Sequence, residues 1–261
     1  MSVHRFCVRN DIKYTLGYGT MLGAVRHKGF IPWDDDIDVI MPRPDYQRFI
    51  KEFRDTNHAQ FRVRALDTDP SYEHPFAKVE NCDTKVVEFA EGAYDIGINI
   101  DVFPLDGVPS QSDEFEKHFR SVRFYQRAWV VKNVKSDYRN RRLLRSLMLT
   151  GLKCLLCFAS RRKLADAIEA KITRYDFDQC ETLMIICFEG TRRKHRAKKE
   201  WFNSIGEIEF EGEMFKGLNQ QDEYLTMQYG DYMQLPPEED RVTHHNYKAY
   251  VLEPSEIEAR K

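Results

Sequence analysis

Gly17-Tyr-Gly-Thr-Met-Leu-Gly-Ala-Val-Arg-His-Lys-Gly-Phe-Ile-Pro-Trp-Asp-Asp-Asp-Ile-Asp-Val39 is the stretch around which the rest of the chain is read. It ends in Asp34, Asp35, Asp36 and Asp38, with apolar Ile37 and Val39 interleaved. On an extended strand Asp36 and Asp38 point to one side while Ile37 and Val39 face the core. Two carboxylates on one face repel and raise one another's pKa unless something positive sits between them. Hard oxygen ligands at this spacing suit Mg²⁺ or Mn²⁺, held by Asp36 and Asp38 with Asp34 alongside. A solvated acidic turn is the plainer alternative, but the run opened by Trp33 and closed by Val39, Ile40 and Met41 has the alternation of a half-buried strand.

The residues ahead of the acids supply the complement to such a site. Gly17, Gly19 and Gly23 surround Thr20 just before Met21 to His27, a run of good helix formers. A glycine turn opening a helix leaves backbone N–H groups free to hold a phosphate, and Arg26, His27 and Lys28 add positive charge nearby. Glycines before a helix are common in turns without a ligand; the acidic strand that follows is what makes this one specific. The spacing predicts phosphate contacts at Gly19, Thr20 and Arg26.

Composition narrows the classes. The chain has 261 residues, 42% hydrophobic and 31% charged, enough for one large domain over 1–261, and no Ser/Gly/Pro-rich linker divides it. A net charge of −2 gives no general attraction for nucleic acid, so polynucleotide substrates are excluded. Six irregularly spaced cysteines and a start without an apolar segment point to a reducing cytoplasm. Cys154, Cys157, Cys180 and Cys187 are spaced too loosely for a convincing four-thiolate zinc site, and the first pair lies in an apolar stretch where free cysteine is ordinary packing.

Along the chain, 3–10 reads as a short helix and 12–16 as a strand entering the Gly17 turn. Tyr46, Phe49, Ile50 and Phe53 recur at helical spacing. Phe61, Val63 and Ala65 alternate with Arg62 and Arg64 as a strand; 76–79 and 85–89 read as a hairpin turning at 81–84. Lys78 within it is placed to reach a phosphate, with an exposed strand lysine as the commoner explanation. The strand over 97–103 puts Ile98, Ile100 and Val102 on one face and Asn99, Asp101 and Phe103 on the other. Asp is disfavoured in strands, so Asp101 between Ile100 and Val102 is a third candidate ligand, while Asp106 before Gly107 and Pro109 reads as a turn residue. Residues 113–134 suit a helix. From Arg141 to Ala159 only Arg142, Ser146, Thr150 and Lys153 make a polar stripe, and Arg161, Arg162 and Lys163 close the end. Such a helix is either buried in a helical layer or lies on an anionic membrane surface; it is too short to span. The basic run 192–199 reads as a solvated loop.

Three motifs together resemble one family: the 17–39 stretch, Ile100-Asp-Val-Phe-Pro-Leu-Asp106, and Tyr229-Gly-Asp-Tyr-Met-Gln-Leu-Pro-Pro237 with His244 and His245. They are similar to the signature of the LicD family, which includes bacterial phosphorylcholine transferases, fukutin and fukutin-related protein. The resemblance implies an α/β (α+β) nucleotidyltransferase-like fold, a mixed β-sheet with packed helices and a mostly helical insert at about 110–200. It implies Mg²⁺-dependent transfer of an alcohol phosphate, such as phosphocholine, from a CDP-activated donor (CDP-choline or similar) to a hydroxyl of a glycan or lipid-linked glycan, releasing CMP. Asp101 then joins Asp36 and Asp38 at the metal and takes the proton of the attacking hydroxyl, and His245 binds donor phosphate. A peripheral membrane contact through 141–159 at the inner face would bring the enzyme to such an acceptor. A nucleotidyltransferase that keeps the nucleoside monophosphate on its acceptor, and an inactive glycan-binding relative, are the other readings; the intact acid set argues against the binder.

Overall fold

The computed structural model describes residues 1–56, 58–88, 96–133, 150, 151, 153, 154, 156, 158–243 and 247–260. Helix α1 (Ser2–Arg9) packs its Phe6 ring edge-on to Phe49 and Phe53, and the short strand β1 (Thr15–Leu16) follows. It leads through extended Gly17 into α2 (Tyr18–His27). The helix thus starts earlier than the sequence suggested, and Gly19 and Thr20 lie in its first turn rather than in a loop before it. Gly23 is required by packing: a Cβ there would lie 2.4 Å from the Gly29 carbonyl oxygen, a backbone atom that cannot step aside.

Strand β2 (Asp38–Pro42) is buried throughout and begins at Asp38, so Asp34, Asp35 and Asp36 approach it as irregular chain. Pro42 ends β2 and Pro44 is tolerated in the first turn of α3 (Arg43–Asp55), where its missing N–H would have had no partner. Tyr46, Phe49, Ile50 and Phe53 form the buried stripe of α3, as their spacing requires. β3 (Phe61–Arg64) and β4 (Ala77–Asn81) pair antiparallel. β5 (Thr84–Glu88) does not complete the expected hairpin with β4. Both edges of β4 are already taken, by β3 and by β6 (Asn99–Val108), so β5 pairs instead with the late strand β11 (Tyr247–Val251).

The main sheet runs β1-β2-β6-β4-β3, with β2 and β6 parallel and the other neighbours antiparallel. β6 continues well past the expected end, so Asp106 is not a turn residue. It is 1% exposed within the strand, and its charge is met by Arg43, whose Nε and Nη2 donate to its two carboxylate oxygens at 2.6 and 2.8 Å. Gly107 lets the strand pass Cys180, whose Sγ would stand 2.8 Å from an added Cβ. The far half of β6 pairs with β7 (Thr182–Met184), which pairs with β8 (Ala197–Lys198), so the insert returns to the sheet rather than being wholly helical.

Helices α4 (Ser112–Asn133) and α5 (Arg161–Ile172) pack together as the helical layer. Ser160 caps α5 by accepting from the Lys163 N–H, and Arg43 Nη1 reaches α5 at Glu169, 2.6 Å away. The hairpin β9 (Ile205–Phe210) and β10 (Glu213–Leu218) turns at Glu211-Gly212. α6 (Gln221–Tyr229) stops at Gly230, with φ of 80°, and α7 (Pro254–Arg260) ends the described chain. The architecture is the mixed α/β arrangement expected. No helix among the described residues is long and apolar enough to cross a membrane. The apolar stretch 141–159 lies largely outside the described residues.

Candidate active site

Register builds the site. Asp38 of β2 stands directly opposite Asp101 of its parallel neighbour β6, and Asp101 stands opposite Lys78 of antiparallel β4. Residues directly opposed in a sheet put their side chains on one face, so two carboxylates and an ammonium form a row across three strands. Lys78 Nζ donates to Asp101 Oδ1 and, at 3.0 Å, to Asn99 Oδ1. The lysine is therefore part of the acid row rather than an idle surface charge.

Asp38 is 8% exposed. Burial, then the carboxylates of Asp36, Asp101 and Asp34, push its carboxyl well above the ordinary range, with Lys78 pulling the other way. Asp36, Asp101 and Asp34 thus all act on the Asp38 carboxyl, and Lys78 opposes them. Helix α2 closes one side. The Thr20 hydroxyl accepts the Asp38 N–H at 2.8 Å and is buried, so Thr20 fixes the start of β2. Gly19 touches Asp34: a Cβ there would lie 2.2 Å from Asp34 Oδ2. The Tyr18 N–H donates to the Tyr224 hydroxyl at 3.3 Å, and the N-cap, Gly17, has no side chain to offer the other first-turn amides of α2, at the positive end of the helix.

A cleft of about 640 Å³ opens beside this row, lined by Gly19, Arg26, Asp34, Asp36 and Asp38. Its opposite wall is the segment after α6, with Tyr229, Asp231, Tyr232 and Gln234. Arg26 Nη1 donates to the Tyr232 carbonyl at 2.8 Å, tying the two walls together, and Arg241 lies over the Trp33 ring at 5.6 Å. Burial, and then the nearness of Arg241, lower the Arg26 pKa. Tyr229 is 45% exposed as a residue, yet desolvation at its hydroxyl, followed by Tyr224 and Asp38, raises the phenol well above its usual value, which keeps it a proton donor. Trp33, Tyr229 and Tyr232 were not among the residues singled out for chemistry. Periodicity carries no signal for them; Trp33 is marked only by the first motif, and Tyr229 and Tyr232 only by the third.

Of the predicted residues, Asp34, Asp36, Asp38, Asp101, Gly19, Thr20, Arg26 and Lys78 gather here, Thr20 and Lys78 as supports for the acids. His245 lies outside the described residues. Among the described residues no three His, Cys, Asp or Glu side chains stand close enough as they are to clasp an ion. The chemistry of the donor set nevertheless fits a hard divalent cation: oxygen donors, a buried member, and mutual repulsion that raises its pKa. Cys187 is fully buried and Cys180 packs on Gly107; Cys157 lies outside the described residues.

A mixed sheet presenting acids from parallel neighbours beside an uncapped helix start defines an enzyme that handles phosphate on a nucleotidyltransferase-like scaffold. The profile of the family described as LicD/FKTN/FKRP, nucleotidyltransferase domain, matches residues 11–136. The chain is 36% identical over 258 residues to the lipopolysaccharide cholinephosphotransferase LicD of Haemophilus influenzae, covering 95% of this chain and 92% of that protein. It belongs to the LicD family. Shorter stretches match uncharacterized proteins of Rickettsia typhi (43% over 54 residues, 20% of this chain and 18% of that protein) and Rickettsia prowazekii (38% over 67 residues, 24% and 25%).

Proposed function

We propose that this protein transfers phosphocholine from CDP-choline to a hydroxyl of a lipopolysaccharide glycan, releasing CMP. The observation that carries the reading is the opposition of Asp38 and Asp101 across parallel strands, on the rim of a cleft that also holds Asp34, Asp36 and Arg26. The substrate class is taken from the Haemophilus influenzae relative, whose match runs through both walls of that cleft.

Asp34, Asp36, Asp38 and Asp101 would hold Mg²⁺, which when bound supplies charge neutralisation of the donor diphosphate and polarisation of its phosphorus. Arg26 and the first-turn amides of α2 hold phosphate oxygens and orient the donor. Asp101, one oxygen fixed by Lys78, accepts the proton of the attacking glycan hydroxyl. Tyr229 and Pro236 line the cleft and would shield a bound donor from water, favouring transfer to the glycan over hydrolysis. Most of the acceleration in such a transfer comes from alignment and charge stabilisation.

The test is mass spectrometry and ³¹P NMR on the purified protein with Mg²⁺, a panel of CDP-alcohols and a core glycan. CMP release together with a glycan carrying phosphocholine is the expected outcome, with Asp101→Asn slower by about 10²–10⁴-fold, the range of a lost acid–base group. Glycan carrying the nucleoside monophosphate instead would refute the assignment.

A further inference from the structure

A second cavity lies away from the acid row, between α4 and the 189–194 loop, with a volume of about 1190 Å³. Its floor is apolar: Phe119, Phe124, Ala128, Val131 and Leu156. Among the described residues its rim carries six cations, Arg120, Arg123, Arg127, Arg192, Arg193 and Lys194, against one lining carboxylate, Glu189. For a chain of net charge −2 this is a strong local concentration of positive charge.

The cations divide into two sets. Arg123 is structural: it donates to the carbonyls of Glu189 and Thr191 and lies over Phe119, 4.8 Å from the ring centroid, bracing the loop against the helix. Arg193 is shared with Glu116 at 3.0 Å, and Arg127 stands 3.8 Å from Glu189. Arg120, Arg192 and Lys194 make no ion pair with a carboxylate among the described residues and are exposed. Phe124 is 67% exposed beside them, and Phe158, two residues beyond Leu156, is 93% exposed. An aromatic floor left open to water beside Arg120, Arg192 and Lys194 is costly for a surface that meets only solvent.

We propose that this groove docks the protein on the anionic phospholipid headgroups of a membrane surface, the arginines meeting phosphates while Phe124 enters the interface. Charge complementarity selects this occupant: an uncharged apolar partner leaves the rim unsatisfied, and a polyanion without apolar parts leaves the floor bare. The loop is also linked to the acid row. The residue just before it, Phe188, packs edge-on to Tyr18 at the head of α2 and lies 5.3 Å from Phe103 of β6. Leu156 and Phe158 belong to the end of the 141–159 stretch; the proposal does not rest on the phosphocholine reading, because it is tested by binding alone.

The experiment is flotation of the full chain with phosphatidylcholine vesicles containing or lacking 30 mol% phosphatidylglycerol, at about 0.05 M and 0.5 M salt. Wild type should float only with phosphatidylglycerol and only at low salt. Each basic residue near an anionic surface is worth about fivefold in partitioning, so Arg127→Ala/Arg192→Ala should float about 25-fold less well. Phe124→Ser should lose about tenfold, with unchanged melting and unchanged turnover on water-soluble substrates. Hydrogen exchange on the wild type should show protection of 119–131 and 189–194 when phosphatidylglycerol vesicles are added, and this readout carries the test if a variant melts. Absence of flotation, flotation unaffected by the variants, or release by 10 mM inorganic phosphate at matched ionic strength would each overturn the proposal, the last by showing a phosphate-ion site.

Discussion

Arg43→Met should destabilise the protein more than any other single change at its exposure, because it strands Asp106. The Arg43 side chain is 8% exposed and the Asp106 side chain 2%, and the guanidinium meets both carboxylate oxygens in a fork. Burial drives the Asp106 carboxyl upward and Arg43 draws it back down. Removing one partner of a buried, hydrogen-bonded pair costs about 3–5 kcal/mol. At roughly 2–4 °C per kcal/mol for a chain of this size, Tm should fall by about 6–20 °C, read by circular dichroism with a urea titration as check. Glu169 contributes less, since burial has already lifted it to about 7, where it can take up a proton once Arg43 has gone. Two controls separate an orphaned charge from lost packing. Arg43→Met/Asp106→Leu should recover most of the loss, since an apolar replacement leaves nothing unpaired, and the single variant's deficit should shrink as pH falls and Asp106 protonates. A single variant within about 1 kcal/mol of wild type, or a double variant as unstable as the single, would refute the reasoning.

Asp38→Asn should abolish turnover in the CMP-release assay yet raise Tm in metal-free buffer. The raised Asp38 pKa is a penalty present when the group is ionised and gone once both folded and unfolded states are protonated, so the gain should appear at neutral pH and vanish near pH 4, as melting curves across pH will show. Gly19→Ala should cut kcat by about 10²-fold by pushing aside Asp34, whose Oδ2 lies 2.2 Å from the new Cβ, while Tm holds or rises because alanine is the better helix former by about 0.8–1 kcal/mol. Glu169→Gln should stabilise at pH 8 and do nothing at pH 4. A rise from 4.5 to about 7, at about 1.4 kcal/mol per tenfold, makes the ionised form cost about 3 kcal/mol above pH 7, a penalty that disappears as pH falls; denaturant midpoints at the two pH values measure it.

Local pattern carried much of the fold. The stripe of Tyr46, Phe49, Ile50 and Phe53 specified α3, because its spacing depends only on neighbours in the chain. The departures occur where a distant partner decides. β4 and β5 are separated by a good turn, but a hairpin needs a free edge, and β6 and β3 occupy both edges of β4. Asp106 next to Gly107 has the composition of a turn; only the arrival of Arg43, 63 residues earlier, makes a buried strand carboxylate tolerable.

The same division explains the site. The acids were legible because a charged residue flanked by Ile and Val in a strand is costly unless it is used, and that argument applies equally to Asp38 and Asp101. Their partnership was not legible, since register between β2 and β6 is set by the packing of Val39, Ile40, Val102 and Phe103, not by the acids themselves. A one-residue slip would turn Asp101 to the opposite face and place Ile100 or Val102 in the row. Core packing therefore selects against the inactive register: slipping would bury Asp101 among the apolar side chains while exposing Val102, which is fully buried. Lys78 follows from the same register, since the pairing that sets Asp101 opposite Asp38 also sets Lys78 opposite Asp101.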